Sequence, residues 1–156
     1  MRYLIILALL LTACPSSQPK PSLQDSILSN INTARASSRN CGATAKAAVP
    51  ALVWNAKLEA AADAHNRDMA ANNYFAHTSP GGQTPGDRIT AAGYAWRSYG
   101  ENIAAGQPTV EVVMTAWLNS AGHCTNIMSA SFTEVAVAQF DSSKGMYWTM
   151  VLAKPK

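Results

Sequence analysis

The chain contains few charged residues and few of the residue types that build metal or nucleic-acid sites. Only 13% of its 156 residues are charged, and it has three cysteines and three histidines. Its twelve lysines and arginines are scattered, so a net charge of +3 does not favour nucleic-acid binding. The HExxH, CxxC, P-loop and G-x-S-x-G signatures are absent. These absences exclude the zinc proteases, P-loop nucleotide-binding proteins and α/β hydrolases that such signatures identify.

The longest notable apolar run, residues 4–11, is too short to cross a hydrocarbon core of about 30 Å as a helix. It follows Met1 and Arg2, an arrangement typical of an export signal. The next residues, LTAC at 11–14, resemble a bacterial lipobox, where cleavage precedes a cysteine that carries lipid. We therefore expect residues 1–13 to be a lipoprotein signal peptide and Cys14 to be acylated. An ordinary secretion signal with an incidental cysteine is the alternative.

A lipidated Cys14 would attach the protein to a membrane surface without a spanning segment. Residues 14–21 are rich in proline, serine and glutamine, which favours a flexible tether, and we expect one domain over residues 22–156. Pro15 follows the cysteine, so the aspartate of inner-membrane retention signals is absent. The expected location is the bacterial cell envelope, at the outer membrane if the source has two membranes.

The remaining cysteines, Cys41 and Cys124, predict a disulfide. Export places them in an oxidising compartment, where a disulfide persists. The bond would close a loop of about 84 residues, for which chain-entropy models assign about 4–5 kcal/mol. Two free buried thiols are the alternative.

Helical patterns dominate the first two thirds of the chain. Alanine, the best helix former, occurs 28 times. Cap residues and apolar spacing predict four helices, over residues 22–37, 55–73, 84–93 and 108–120, the last ended by Gly122. Residues 40–50 are predicted to be a loop. Strands are predicted within 94–105 and as a hairpin over 133–140 and 147–153, apolar on both faces, which indicates a sheet covered by helices on each side.

The histidines give no clear site by spacing alone. His65 lies on the apolar stripe of the second helix, which favours a hydrogen-bonded core residue. His77, His123 and Glu101 come from separate segments, and no pair has a diagnostic metal spacing. Arg88, beside Asp87, is predicted to form a structural ion pair at a helix start.

A series of motifs in a fixed order identifies a family. They are AADAHNRDM at 61–69, YFAHTSP at 74–80, GENIA at 100–104, WLNSAGHCTNIM at 117–128, FTEVAV at 132–137 and YWT at 147–149. Over residues 23–154 the chain resembles the bacterial, SCP-like branch of the CAP superfamily, which includes cysteine-rich secretory, antigen-5-like and pathogenesis-related proteins.

The resemblance implies an α+β fold, a three-layer α-β-α sandwich around a central antiparallel sheet of three main strands. It also implies a cleft at which His77, Glu101 and His123 meet. Eukaryotic members place a second glutamate where this chain has Ser120, so the family's set of four is incomplete. Asn102 is expected beside the cleft, bonded to backbone groups.

Two imidazoles and a carboxylate are a common open ligand set for zinc, whose bound water can become a nucleophile. The same trio can instead form a hydrogen-bonded cleft. Our first hypothesis is a monomeric, envelope-anchored module that binds an unidentified envelope or extracellular ligand, with no catalytic residue and no nucleic-acid partner. The alternatives are a metal-dependent hydrolase of peptide or cell-wall material and a carrier of an apolar ligand.

Overall fold

The computed structural model describes residues 22–156. The predicted signal peptide, Cys14 and the tether of residues 14–21 lie outside the described residues. The helices are α1 Leu23–Arg35, α2 Ala56–Asn72, α3 Pro85–Ala91, α4 Val110–Asn119 and α5 Ala121–Ile127. The strands are β1 Arg39–Cys41, β2 Thr44–Lys46, β3 Val53–Trp54, β4 Trp96–Ala105, β5 Glu134–Ser142 and β6 Gly145–Pro155. Within residues 22–156 no helix has the length and apolar character needed to span a membrane.

The helix starts predicted from cap residues are confirmed. The Asn55 side chain accepts a hydrogen bond from the Lys57 backbone N–H at 2.9 Å, and α2 begins directly after it. Thr84 and Asp87 form a complete capping box at α3. Asn73 ends α2 in the left-handed conformation (φ 55°), which asparagine tolerates better than most residues.

Two local predictions are wrong. The expected loop of residues 40–50 contains the β1–β2 hairpin, which turns at Gly42 in the left-handed region (φ 61°). A Cβ at Gly42 would lie 2.9 Å from the Ala121 Cβ, so the hairpin packs directly on α5. Gly122 does not end a helix. The break comes earlier, at Ser120, whose extended backbone (ψ 123°) separates α4 from α5, and Gly122 lies inside α5.

The main sheet has the strand order β3-β5-β6-β4. The predicted terminal hairpin is confirmed, with β5 and β6 antiparallel and Ser142 opposite Gly145 at the turn. β4 pairs antiparallel with β6, which completes the three expected main strands. β3, only two residues long, adds a parallel edge beside β5 that the sequence did not predict.

Helices cover both faces of this sheet. Val135 and Val137 pack into a cluster with residues of α1, α4 and α5. Their neighbours along β5, Ala136 and Ala138, pack into a second cluster with residues of α2 and α3. Successive strand residues point to opposite faces, so this alternation places one helical layer on each side. The three-layer α-β-α sandwich is confirmed, and its small alanine side chains leave room for α2 to lie close to the sheet.

Candidate functional site

An open cleft of about 590 Å³ lies where the loop before α3, strand β4, helix α5 and the β1–β2 hairpin meet. Four of the predicted site residues line it: His77, Glu101, Ser120 and His123. The rest of its lining is made of small and polar residues, namely Cys41, Thr44, Ala121, Gly122, Thr125 and Asn126. Segments that are far apart in the chain are therefore brought to one surface, as the resemblance implied.

Glu101 lies at the base of the cleft with only 3% of its side chain exposed. Its Oε1 is 2.8 Å from His77 Nδ1, and its Oε2 accepts a hydrogen bond from Arg88 Nη2 at 2.7 Å. The Arg88 side chain is 4% exposed, so this is a buried ion pair. Charge-assisted bonds of this length are the stronger kind, and they fix the carboxylate in place.

Arg88 is a site residue whose sequence context predicted another role. The expected ion pair with Asp87 is not formed, because the Asp87 carboxylate caps α3 and Arg88 reaches across to Glu101. Arg88 also donates to the backbone carbonyls of His77 at 2.9 Å and Gln83 at 3.1 Å. It therefore fixes both Glu101 and the loop that carries His77. Thirteen residues separate Arg88 from Glu101, so no local pattern could reveal the pairing.

His65 also lies against Glu101. It is fully buried in α2, as predicted, and its Nε2 is 3.9 Å from Glu101 Oε1. The predicted hydrogen bond is not present, because neither ring nitrogen has a hydrogen-bond partner within residues 22–156. The Ala76 backbone still lies close enough to raise the pKa of His65. Burial lowers the pKa of His65 by more than the Ala76 backbone and the nearby Glu101 carboxylate raise it. The pKa is therefore lowered, and the ring is neutral near pH 7.

His123 is half-buried on α5. Burial lowers the pKa of its imidazole, and the neighbouring His77 lowers it further. Its backbone carbonyl accepts a hydrogen bond from Asn102 Nδ2 at 3.1 Å. Asn126 Nδ2 in turn donates to Asn102 Oδ1 at 2.8 Å and to the Glu101 carbonyl at 3.3 Å. Asn102 is thus behind the cleft, bonded to backbone as predicted, and holds α5 against β4.

The Cys41–Cys124 disulfide is confirmed, with the two Cα atoms 5.3 Å apart. It joins the β1–β2 hairpin to α5 at the residue next to His123. Both cysteines are buried, and Cys41 forms part of the cleft wall. One covalent bond therefore fixes two walls of the cleft relative to each other.

Ser120 lies in the break between α4 and α5 and lines the cleft. Its side chain makes no capping hydrogen bond to α5. The hydroxyl is therefore available to a ligand at the position where the resemblance implied a glutamate in eukaryotic members.

The arrangement does not fit a three-ligand zinc site. Within the part of the chain that the structure describes, no three His, Cys, Asp or Glu side chains converge closely enough to hold a metal ion. Both Glu101 oxygens are engaged, and the Arg88 guanidinium already balances the carboxylate charge. The donors left for a metal are the imidazoles of His77 and His123, so zinc binding stays a prediction that rests on these two.

Comparison with known sequences gives relatives of undetermined role. The uncharacterized protein YkwD of Bacillus subtilis is 42% identical over 92 residues, which cover 59% of this chain and 35% of the relative. The uncharacterized membrane protein YlbC of the same organism is 31% identical over 86 residues, which cover 55% of this chain and 25% of that protein. The chain thus spans about a third or less of the length of these curated relatives.

Comparison with solved structures supports the fold. An extracellular SCP-domain protein of Bacillus anthracis superposes with a TM-score of 0.64 at 34% identity, over 68% of this chain and 34% of the other. An outer surface protein of Borrelia burgdorferi gives a TM-score of 0.64 at 22% identity, over 69% of this chain and 80% of that protein. The profile of the cysteine-rich secretory protein family matches residues 28–152, so the sandwich, the ordered motifs and this match agree: the chain belongs to the CAP family.

Proposed function

We propose that the protein is an exported binding module, held at the cell envelope by lipid on Cys14, which presents the cleft of His77, Glu101 and His123 to a ligand outside the cytoplasm. Relatives described as extracellular and as an outer surface protein support the location. The lipobox-like LTAC segment supports the anchor.

The observation that favours binding over catalysis is that both Glu101 carboxylate oxygens are already in contact with protein side chains. A general base must reach the proton that it removes, directly or through one water. Glu101 Oε1 faces His77 and Oε2 is bonded to Arg88. Each oxygen thus already has a hydrogen-bond partner, and Ser120 supplies no second carboxylate. The carboxylate therefore serves to orient His77.

The cleft surface suits the uncharged, polar groups of a ligand. His123 is uncharged near pH 7 because its pKa is lowered by burial. The hydroxyls of Thr44, Ser120 and Thr125 add groups that both donate and accept hydrogen bonds. Peptide amides and sugar hydroxyls match such a surface, and peptidoglycan fragments carry both.

Calorimetry with soluble disaccharide-peptide fragments of peptidoglycan tests this proposal. We expect binding to the wild-type protein, weakened about tenfold in Ser120→Ala and in His123→Ala because each loses a hydrogen bond to the ligand. Ser29→Ala, an exposed change on α1, is the matched control and should bind normally. Absence of binding would refute this ligand class. Mass-spectrometric detection of cleaved fragments, in a reaction blocked by Glu101→Gln under conditions where a thermal melt shows this variant to be folded, would establish the hydrolase instead.

The lipid anchor is tested by Cys14→Ser. We expect the variant to leave the membrane fraction, and we expect the wild-type protein to carry acyl mass on Cys14 at its N-terminus. A variant that still sediments with membranes, together with a wild-type N-terminus free of lipid, would contradict the anchor.

A further inference from the structure

We propose that the protein has a second binding site, a groove for an anionic glycan that is separate from the cleft. Two adjoining hollows of about 550 and 540 Å³ share Tyr94, Ala95 and Lys156 and together form this groove. None of its lining residues lines the cleft. The groove lies beside the start of β4 and the end of β6.

Trp96 provides a fixed aromatic surface in the second hollow. Its indole Nε1 donates to Thr90 Oγ1 at 3.0 Å, and Thr90 Oγ1 donates to the Gly86 carbonyl at 2.8 Å. The Tyr99 ring packs edge-on against it, with centroids 4.7 Å apart and an interplanar angle of 85°. The indole is half-buried and held by both contacts. The C–H face of a sugar ring packs well on such a surface, at little entropic cost to the protein.

A β-bulge places a cation beside this aromatic surface. The register of β4 against β6 shifts between Trp96 and Ser98, which leaves Arg97 as the extra residue. Consecutive strand residues normally face opposite sides, yet Trp96 and Arg97 line the same hollow. Arg97 is exposed, and its side chain makes no hydrogen bond or ion pair with residues 22–156. Lys156 lines the hollow as well, so two cationic side chains share this hollow with the indole.

The first hollow adds polar groups suited to sugar hydroxyls. Glu134 accepts hydrogen bonds from the Tyr94 hydroxyl and from Asn55 Nδ2, so its charge is partly balanced by neutral donors. Lys57 lies at the rim, where its Nζ donates to the Gly93 carbonyl at 2.9 Å. Trp54 contributes a second aromatic side chain to the lining.

Charge complementarity identifies the ligand class. Three cationic side chains, those of Lys57, Arg97 and Lys156, line the groove with one acidic side chain, that of Glu134. An oligosaccharide whose sugars carry carboxylate groups satisfies the cations, the aromatic surfaces and the hydrogen-bonding groups together. A single-stranded nucleic acid shares the aromatic and cationic preferences, and the test separates the two.

The test measures binding of oligogalacturonate to the exported protein by calorimetry. The comparison probes are its fully methyl-esterified form, a polyacrylate and an oligothymidylate, the last two matched to it in charge. We expect oligogalacturonate to bind most tightly of the four. Equally tight binding of the polyacrylate would show that the groove attracts negative charge without recognising a sugar. Tighter binding of oligothymidylate would identify the ligand as a nucleic acid. Either result, or no binding of oligogalacturonate, overturns the proposal.

The variants locate the site. Arg97→Ala/Lys156→Ala should weaken oligogalacturonate binding about tenfold or more, because both charge-assisted contacts are lost. Lys46→Ala/Lys144→Ala removes two positive charges elsewhere and should have little effect. Trp96→Ala should weaken binding, with partial recovery in Trp96→Phe, and a thermal melt of each variant checks folding. An equal loss of oligogalacturonate affinity in the two double variants would show that the groove is not the binding site. His123→Ala should leave this affinity unchanged, so the result is independent of the proposed cleft function.

Discussion

Three side chains from three parts of the chain lie next to the Glu101 carboxylate: His65 from α2, His77 from the following loop and Arg88 from α3. This carboxylate is almost fully buried, and it is bonded to His77 and Arg88, whereas His65 only lies beside it. A buried ion pair adds little net stability over a well-packed apolar pair, whereas loss of one partner leaves a buried charge unpaired. We infer that the pair is important chiefly for the geometry of the cleft.

Removal of this carboxylate charge should be costly. In Glu101→Gln, Arg88 keeps a buried guanidinium without its anion, and we expect a loss of about 3–5 kcal/mol in the free energy of unfolding, measured by urea denaturation. The control is Asp63→Asn, which breaks the exposed Asp63–Arg67 pair on α2 and should change stability very little. Equal effects of the two substitutions would show that the buried pair has no special role.

Zinc binding is tested at the two imidazoles. We expect weak binding near pH 7.5, because neutral histidines are metal ligands, and loss of it as the pH falls and protons compete. The lowered pKa of His123 means that protons compete at this residue only below its ordinary pKa of about 6.5. His77→Ala/His123→Ala should abolish the heat of binding in calorimetry. His65→Ala is the control: it should reduce stability and leave zinc affinity intact. Equal affinity in the wild type and the double variant would end the metal hypothesis.

At the scale of elements, the sequence predicted the structure best where a single side chain decides the local geometry. The caps Asn55 and Thr84 begin helices at the expected residues, and the terminal hairpin follows from its apolar strands. The β1–β2 hairpin was missed because it has only three residue pairs and no apolar alternation; its packing on α5 and the disulfide hold it. The contacts of Arg88 and His65 with Glu101 were missed because they arise only from packing of helices on the sheet.

The disulfide links the stability of the fold to the geometry of the cleft. The bond closes a loop with a sequence separation of 83, and we expect Cys41→Ala/Cys124→Ala to lower the free energy of unfolding by about 4–5 kcal/mol on chain-entropy grounds. Chemical shifts of His123 should change in the same variant, because the hairpin wall of the cleft is released. Wild-type stability, or an unperturbed His123 resonance, would contradict this coupling. Ser38→Ala, an exposed change just before β1, should affect neither measurement.

At the scale of the whole molecule, burial of neutral histidines makes stability depend on pH. The pKa values of His65 and His123 are both lowered in the folded protein, with burial as the largest cause. The unfolded chain therefore takes up protons first as the pH falls below about 6.5, and the folded state loses relative stability until its own lower pKa values are reached. Above that range these two residues add no pH dependence.

Urea denaturation at several pH values between about 5 and 8 measures this effect. We expect a plateau at the alkaline end and a decline toward pH 5. His65→Gln should flatten part of the decline, since the variant has one fewer group that is protonated only after unfolding. Rising stability on acidification would show that the histidines gain, rather than lose, favourable partners when charged.

β4 is an edge strand of the main sheet, and the unpaired backbone of an edge can recruit a strand from another chain. Asn126 covers part of this edge, because its side-chain amide donates to the Glu101 carbonyl. At Ser98 the side-chain hydroxyl donates to the Ser131 carbonyl, which keeps the neighbouring loop close to the same strand. Asn126, which lines the cleft, therefore also helps to protect the sheet from intermolecular strand pairing. A substitution that opens the cleft, such as Asn126→Ala, would expose a site for aggregation along with the binding surface.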